Sequence, residues 1–148
     1  MNSLKISVFA LLCSMVTAFS PIVCHGSEHD DALRFAEEIR TLIINYDVSE
    51  IENHLQSGFY VSNTALLKDD IIRMLHDTNS WLYRNLFANN DSVRSHLIES
   101  KSLEIHVQQE KDYFIISYVN PENTTALQPS VTIKLNNGTW LFSDLFFN

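Results

Sequence analysis

Glycine, proline and cysteine are all scarce in this chain of 148 residues, which has three glycines, three prolines and two cysteines. So little glycine and proline excludes collagen-like and low-complexity chains. A phosphate-binding loop, a dinucleotide fingerprint and a G-x-S-x-G nucleophile elbow all need clustered glycines, and the sequence contains none of these motifs. The commonest nucleotide-binding and hydrolase chemistries are therefore excluded.

Basic residues are also scarce: 10 lysines and arginines stand against 18 acidic residues, and the net charge is −8. Nucleic-acid phosphates select clusters of lysine and arginine, so we expect no nucleic-acid partner. The basic residues form no run that could anchor the protein electrostatically to a membrane surface. With 45% apolar and 19% charged residues, the composition predicts one globular domain.

The first 26 residues have the features of a secretory signal peptide. Lys5 supplies a positive charge, and residues 6–19 are uncharged and mostly apolar. A stretch of that length is too short to span a membrane, which takes about 20 residues. Pro21 ends the apolar stretch, and Gly26 supplies a small residue, so we predict cleavage after Gly26, with cleavage after Ala18 as the alternative.

Cleavage after Gly26 changes the chemistry available to the protein. It removes Cys13 and Cys24 and leaves a 122-residue domain, 27–148, of charge −9, with no disulfide and no thiolate ligand. We therefore expect an exported, periplasmic or secreted protein without stable membrane insertion. Two alternatives are an uncleaved anchor and a lipoprotein acylated at Cys24, although residues 21–23 match poorly the small residues that precede such a cysteine.

Hydrophobic periodicity divides the domain into a helical half and a strand half. It predicts helices at about 30–46, 49–56, 68–76, 81–87 and 91–98, with an extended segment at 59–61. The period then changes from 3.6 to 2 and predicts four strands at about 103–107, 112–120, 131–135 and 139–147. Asn136-Asn137-Gly138 predicts a tight hairpin between the last two strands. The fold class is α+β, with N-terminal helices packed on a curved four-stranded antiparallel sheet.

Two of the predicted strands, 112–120 and 139–147, are apolar on both faces. A sheet with one face in water does not need this pattern. One face is expected to pack on the helices. The other is expected either to curl around a pocket or to pack on a second subunit, because it would otherwise form an adhesive patch.

The segments LKDDIIRMLHDTNSWLYRNLF (67–87) and NNGTWLFSDLF (136–146), with the order helices then meander, resemble the nuclear transport factor 2-like (NTF2-like) superfamily of cone-shaped α+β domains. The resemblance implies this fold but no single function, because members include isomerases, dehydratases, cyclases and non-enzymatic binding domains. It also implies a strand hairpin among the helices, for which only 59–61 offers material.

One acid–base constellation is a candidate catalytic site. Asp144 lies between Phe142 and Phe146, and a carboxylate in an apolar pocket has a raised pKa and can act as a general base. Resemblance to the isomerase-type members implies a tyrosine donor beside the aspartate, and Tyr118 or Tyr113 would supply it. The alternative is a solvated or paired aspartate at a strand edge.

A ligand pocket is the second candidate site, and we predict that one histidine and four apolar residues line it: His106, Phe114, Ile116, Trp140 and Phe142. After Gly26 no two histidines have metal-ligand spacing, so we expect neither a metal nor a cofactor; the alternative is a metal-binding tail with His25 and His29, four residues apart around the cleavage site. Without a catalytic motif, the sequence favours a non-enzymatic domain that binds a protein or a small apolar ligand, with a homodimer through the sheet as one form.

Two alternatives are a small isomerase-like or dehydratase-like enzyme and an envelope-assembly component. An enclosed pocket at Asp144 would favour the enzyme, whereas a filled core with an uncovered sheet face would favour the binding domain.

Overall fold

A computed structural model describes residues 28–108, 113–123 and 128–147 of the chain. The predicted signal peptide with both cysteines, the predicted turn at 109–111 and part of the loop at 121–127 lie outside these residues. No helix within the described ranges is long and apolar enough to cross a membrane.

Helices come first along the described chain, a strand hairpin interrupts them, and a four-stranded meander follows. The elements are α1 (Glu28–Ile44), α2 (Val48–His54), β1 (Leu55–Val61), β2 (Thr64–Leu67), α3 (Lys68–His76), α4 (Trp81–Tyr83), a π-helical turn (Arg84–Ala88), α5 (Val93–Glu99), β3 (Ser102–Gln108), β4 (Tyr113–Val119), β5 (Ser130–Asn136) and β6 (Thr139–Phe146).

The sheet has six strands in the order β2-β1-β6-β5-β4-β3, not the four that the sequence predicted. The α+β class and the curled sheet are confirmed, and the missing pair is the β1–β2 hairpin between α2 and α3. β1 begins at Leu55, inside the predicted second helix. Its other neighbour is β6, with which it pairs in parallel, so its extended conformation depends on a strand more than 80 residues away in the chain.

The helices cover one face of this sheet, the inner face. In α1 the buried residues recur at helical spacing, and they are Ala32, Phe35, Ala36, Ile39 and Ile43. This stripe packs over β4 and β5, where the Tyr118 hydroxyl donates a hydrogen bond of 2.7 Å to the Ala36 carbonyl. The long first helix is thereby fixed across the centre of the sheet.

Arginines join α1 to α5. Arg40 donates to the carbonyls of Leu97 and Ser100 at 3.0 and 2.8 Å, which are orphan acceptors at the C-terminal end of α5. Arg94 donates in return to the Ile44 carbonyl at the end of α1, at 2.8 Å. Each helix end thus receives a charged donor from the other helix, which supports both helix dipoles.

Candidate binding site: the outer face of the sheet

The outer face of the sheet is the face away from the helices, and a bulge in β6 decides which residues reach it. Ile133 pairs with Phe142, but the next residue back, Thr132, pairs with Asp144, so Ser143 is an extra residue in the ladder. The Ser143 hydroxyl donates to the Thr132 carbonyl at 3.1 Å. Because a bulge shifts side-chain alternation by one, Phe142 points inward while Asp144 points outward.

A row of five side chains crosses the outer face at this position. The register from β1 to β3 places Tyr60, Asp144, Thr132, Ile115 and His106 side by side. Tyr60 is 54% exposed and His106 is exposed, while the three central residues are partly buried by their neighbours in the sheet. The row therefore combines apolar, hydroxyl and titratable side chains, with the acid Asp144 next to Tyr60.

Apolar side chains flank this row. On one side of the row, Phe146 lies beside Ser130, which pairs with Ser117, and it is 37% exposed. On the other side of the row, Leu141 lies beside Lys134. The outer face as a whole combines aromatic and aliphatic groups with hydroxyls, one lysine and two acids. Its members are Tyr60, Glu104, His106, Tyr113, Ile115, Ser117, Ser130, Thr132, Lys134, Leu141, Asp144 and Phe146.

Asp144 is in an unfavourable environment at the centre of this face. Its Oδ1 is excluded from solvent and has no hydrogen-bond partner among the described residues. Burial raises the pKa of the carboxyl from 3.8 to about 6, because desolvation penalises the charged form. A buried acceptor without a partner is uncommon in a folded chain and calls for a donor from outside.

The two predicted catalytic residues are not brought together. Tyr118 points inward and is only 1% exposed, with its hydroxyl bonded to Ala36 beneath α1. Its burial raises the pKa of the phenol above its ordinary value, with the Glu37 charge as a smaller cause. Asp144 lies on the opposite face. Tyr113 lies on the outer face, but its register places it beside Lys134, not beside Asp144.

The predicted pocket residues divide in the same way. Ile116 and Phe142 are buried in the core, and Phe114 and Trp140 pack against it with ring centroids 5.5 Å apart. His106 lies outside the core on the exposed outer face. Four of the five predicted lining residues therefore share the inner side of the sheet, and the histidine does not.

The interior leaves little room for a ligand. The cavity between the helices and the sheet holds about 20 Å³ and is lined only by apolar side chains: Ile43, Ile51, Leu55, Phe59, Val61, Ile71, Leu75, Leu82, Leu86, Phe142 and Leu145. That volume suits about one water molecule, whereas small-molecule sites hold roughly 300–1,000 Å³. This cavity is therefore too small for a small-molecule ligand.

A second hollow is an open cleft of about 310 Å³ between α1 and Trp140 at the start of β6. Asp144 lines neither hollow. In the parts of the chain that the structure describes, no three histidine, aspartate, glutamate or cysteine side chains are grouped to hold a metal ion.

Sequence reasoning missed most of the outer face. It paired Asp144 with Phe142 and Phe146 because strict alternation puts them on one side. The outer face is identified by β4 and β5, in which Ile115 and Thr132 pair with each other and alternate with residues that point inward. The bulge at Ser143 had no visible signal in the sequence.

Comparison with known proteins assigns no function to the chain. No family model matches the chain, and no curated protein matches it. The strand hairpin that the NTF2-like resemblance implied among the helices is present as β1 and β2.

Solved structures similar to the chain include the following three. An NTF2-like protein from Cytophaga hutchinsonii has 16% identity and a TM-score of 0.48, over 82% of this chain and 97% of that one. A putative Ca/calmodulin-dependent kinase II association domain from Exiguobacterium sibiricum has 10% identity and a TM-score of 0.49, over 82% and 92%. A protein named Rd1NTF2_05, in a variant with five substitutions, has 9% identity and a TM-score of 0.47, over 82% and 99%.

Proposed function

We propose that the protein is an exported, non-enzymatic binding domain whose outer sheet face binds a protein partner, and that this partner is a second copy of the chain. One observation carries the proposal: the outer face combines exposed apolar side chains with a desolvated, unpaired carboxylate at its centre. Such a face gains from being covered, both by burying Tyr60 and Phe146 and by giving Asp144 a donor.

The small volume of the cavity between the helices and the sheet favours a protein partner over a small apolar ligand. A cavity of about 20 Å³ cannot take such a ligand without opening the core. The outer face instead presents side chains from five adjacent strands, β1, β6, β5, β4 and β3, which suits a protein surface.

Self-complementarity favours a second copy over an unrelated protein. A twofold interface brings the same face to itself, so donors and acceptors must both be present. The outer face carries Lys134 and the hydroxyls of Tyr60 and Thr132 as donors, with Asp144 and Glu104 as acceptors. A twofold pairing can therefore offer each Asp144 a donor from the other copy.

Sedimentation velocity of the purified protein tests this proposal. We expect a dimer, which Ile115→Glu converts to a monomer, because Ile115 lies beside Thr132 near the centre of the face. Ile98→Glu is the matched control, since Ile98 is 51% exposed on α5, on the helical side. A monomeric wild type, or equal dissociation by both substitutions, would contradict the proposal.

Export is the other part of the proposal, and the apolar stretch at 6–19 followed by Gly26 supports it. Expression of the full chain in a bacterial host, followed by fractionation and intact-mass measurement, tests it. We expect a chain that starts at Ser27 in the extracytoplasmic fraction. A chain retained in the cytoplasm at full mass would exclude export, and a mass that places lipid on Cys24 would favour the lipoprotein.

Acid–base catalysis is the second candidate function, and the raised pKa of Asp144 is the observation that favours it. The partner tyrosine at 118 is on the other face, however, and Asp144 lines neither described hollow. Turnover of a substrate that Asp144→Asn abolishes without loss of the dimer would establish this function instead.

A further inference from the structure

The cleft between α1 and β6 has no part in the proposed dimer, because it lies on the helical side of the sheet. Its lining consists of Asp31, Arg34, Phe35, Glu38 and Trp140. At about 310 Å³ it reaches the lower end of the range for small-molecule sites, roughly 300–1,000 Å³. It can therefore hold a compact ligand.

One wall of the cleft is a single face of α1. Asp31, Arg34, Phe35 and Glu38 stand at positions i, i+3, i+4 and i+7, which share one side of a helix. Their charged ends therefore border the same opening, while Phe35 is 5% exposed and forms part of its base.

The base of the cleft is aromatic and well supported. The Phe35 and Trp140 rings are nearly parallel, 23° apart, with centroids separated by 6.3 Å. The Phe114 ring meets Trp140 at an interplanar angle of 63°, and the His54 ring meets Phe35 edge-on with centroids 5.1 Å apart. An indole held in this way presents a fixed face with negative electrostatic potential.

The charges around the cleft are mostly acidic. Asp31 pairs with Arg34 at 2.9 Å, but the arginine side chain is 75% exposed, so the pair is weak and the guanidinium is free to swing into water. Glu38 lies 3.4 Å from the His54 imidazole and keeps 53% of its side chain exposed. A ligand that enters the cleft would therefore meet two solvent-accessible carboxylates, those of Asp31 and Glu38.

We propose that this cleft binds a small organic cation, an ammonium group that packs on the Trp140 ring while the carboxylates of Glu38 and Asp31 balance its charge. An aromatic face bordered by carboxylates is the arrangement that recognises such cations. An anion would be repelled by both acids, and a neutral ligand would gain nothing from them. The net charge of −8 further concentrates cations at the surface.

Choline and its uncharged isostere 3,3-dimethylbutan-1-ol provide the test. Indole fluorescence is followed in Trp81→Phe protein, where Trp140 is the sole emitter because the sequence has two tryptophans. We expect saturable binding of choline at least about tenfold tighter than that of the alcohol, since only the cation gains from the ring and the carboxylates.

Two substitutions locate the site. Glu38→Gln and Asp31→Asn are each expected to weaken choline binding about threefold to tenfold, and Asp31→Asn also releases Arg34 to repel the cation. Glu99→Gln, an exposed acid at the end of α5, is the matched control and is expected to change nothing. Equal affinity for choline and the alcohol, no saturable binding, or equal effects of Glu38→Gln and Glu99→Gln would each overturn the proposal.

Discussion

Replacing Asp144 by asparagine is expected to stabilise the isolated chain at neutral pH and to have little effect in acid. The pKa of this carboxyl is raised from 3.8 to about 6 in the folded state. Below pH 3.8 the Asp144 carboxyl is protonated in both the folded and the unfolded state, so it does not lower the free energy of unfolding. Between 3.8 and about 6 the unfolded state loses its proton first, so the free energy of unfolding falls as pH rises through the folded pKa.

The size of this effect follows from the shift. One pKa unit corresponds to about 1.4 kcal/mol, so the full shift would cost about 3 kcal/mol above pH 6. Because the Asp144 side chain is partly exposed, solvent screening reduces this free-energy cost. We expect the charged carboxylate to lower the free energy of unfolding by about 1–2 kcal/mol. Asp144→Asn removes this cost, because the amide never becomes charged.

Urea denaturation at pH 3.5 and pH 7.5, with the protein dilute enough to be monomeric, measures the difference. Asp144→Asn should match wild type in acid and exceed it by about 1–2 kcal/mol at pH 7.5. Asp69→Asn, an exposed acid in the first turn of α3, is the control and should give a small loss instead. A variant that is less stable than wild type at pH 7.5 would refute the reasoning, since it would mean that the folded chain stabilises the Asp144 charge.

Equilibrium urea denaturation also tests three further substitutions. Arg40→Met should cost about 1.5–3 kcal/mol, because it leaves two carbonyls at the end of α5 without their charged donor. Tyr118→Phe should cost about 1 kcal/mol through loss of one buried hydrogen bond, and no change would show that the hydroxyl contributes nothing. Gly138→Ala should cost about 1 kcal/mol, because Gly138 has a φ of +80° in the hairpin turn. Unchanged stability in Arg40→Met would show that α1 and α5 do not depend on this contact.

Local patterns in the sequence predicted the parts of the fold that are determined locally. The apolar stripe in α1 predicted a helix, and the alternation of apolar and polar residues in β3 and β5 predicted strands of the meander. The Asn-Gly pair gave the last turn, in which Asn137 and Gly138 both have positive φ. Helix α1 ends two residues earlier than predicted, where Tyr46 takes a φ of +59° and the Asp47 amide donates to the Leu42 carbonyl.

The parts that were missed depend on distant contacts. β1 becomes extended through its parallel pairing with β6, and no local pattern reveals that partner. The bulge at Ser143 depends on how β6 aligns with β5, and this one residue moves Asp144 from the predicted pocket to the outer face. The bulge therefore places Asp144 on the opposite face from Phe142, with which the sequence had grouped it.

Hydroxyl-radical footprinting at high and low protein concentration tests most directly whether the outer face binds a second copy. Tyr60 and Phe146 are 54% and 37% exposed in the single chain, and Tyr46, 45% exposed near the end of α1, serves as the reference. We predict that oxidation of Tyr60 and Phe146 decreases as concentration rises, while oxidation of Tyr46 does not. Equal oxidation of all three side chains at every concentration would contradict the account.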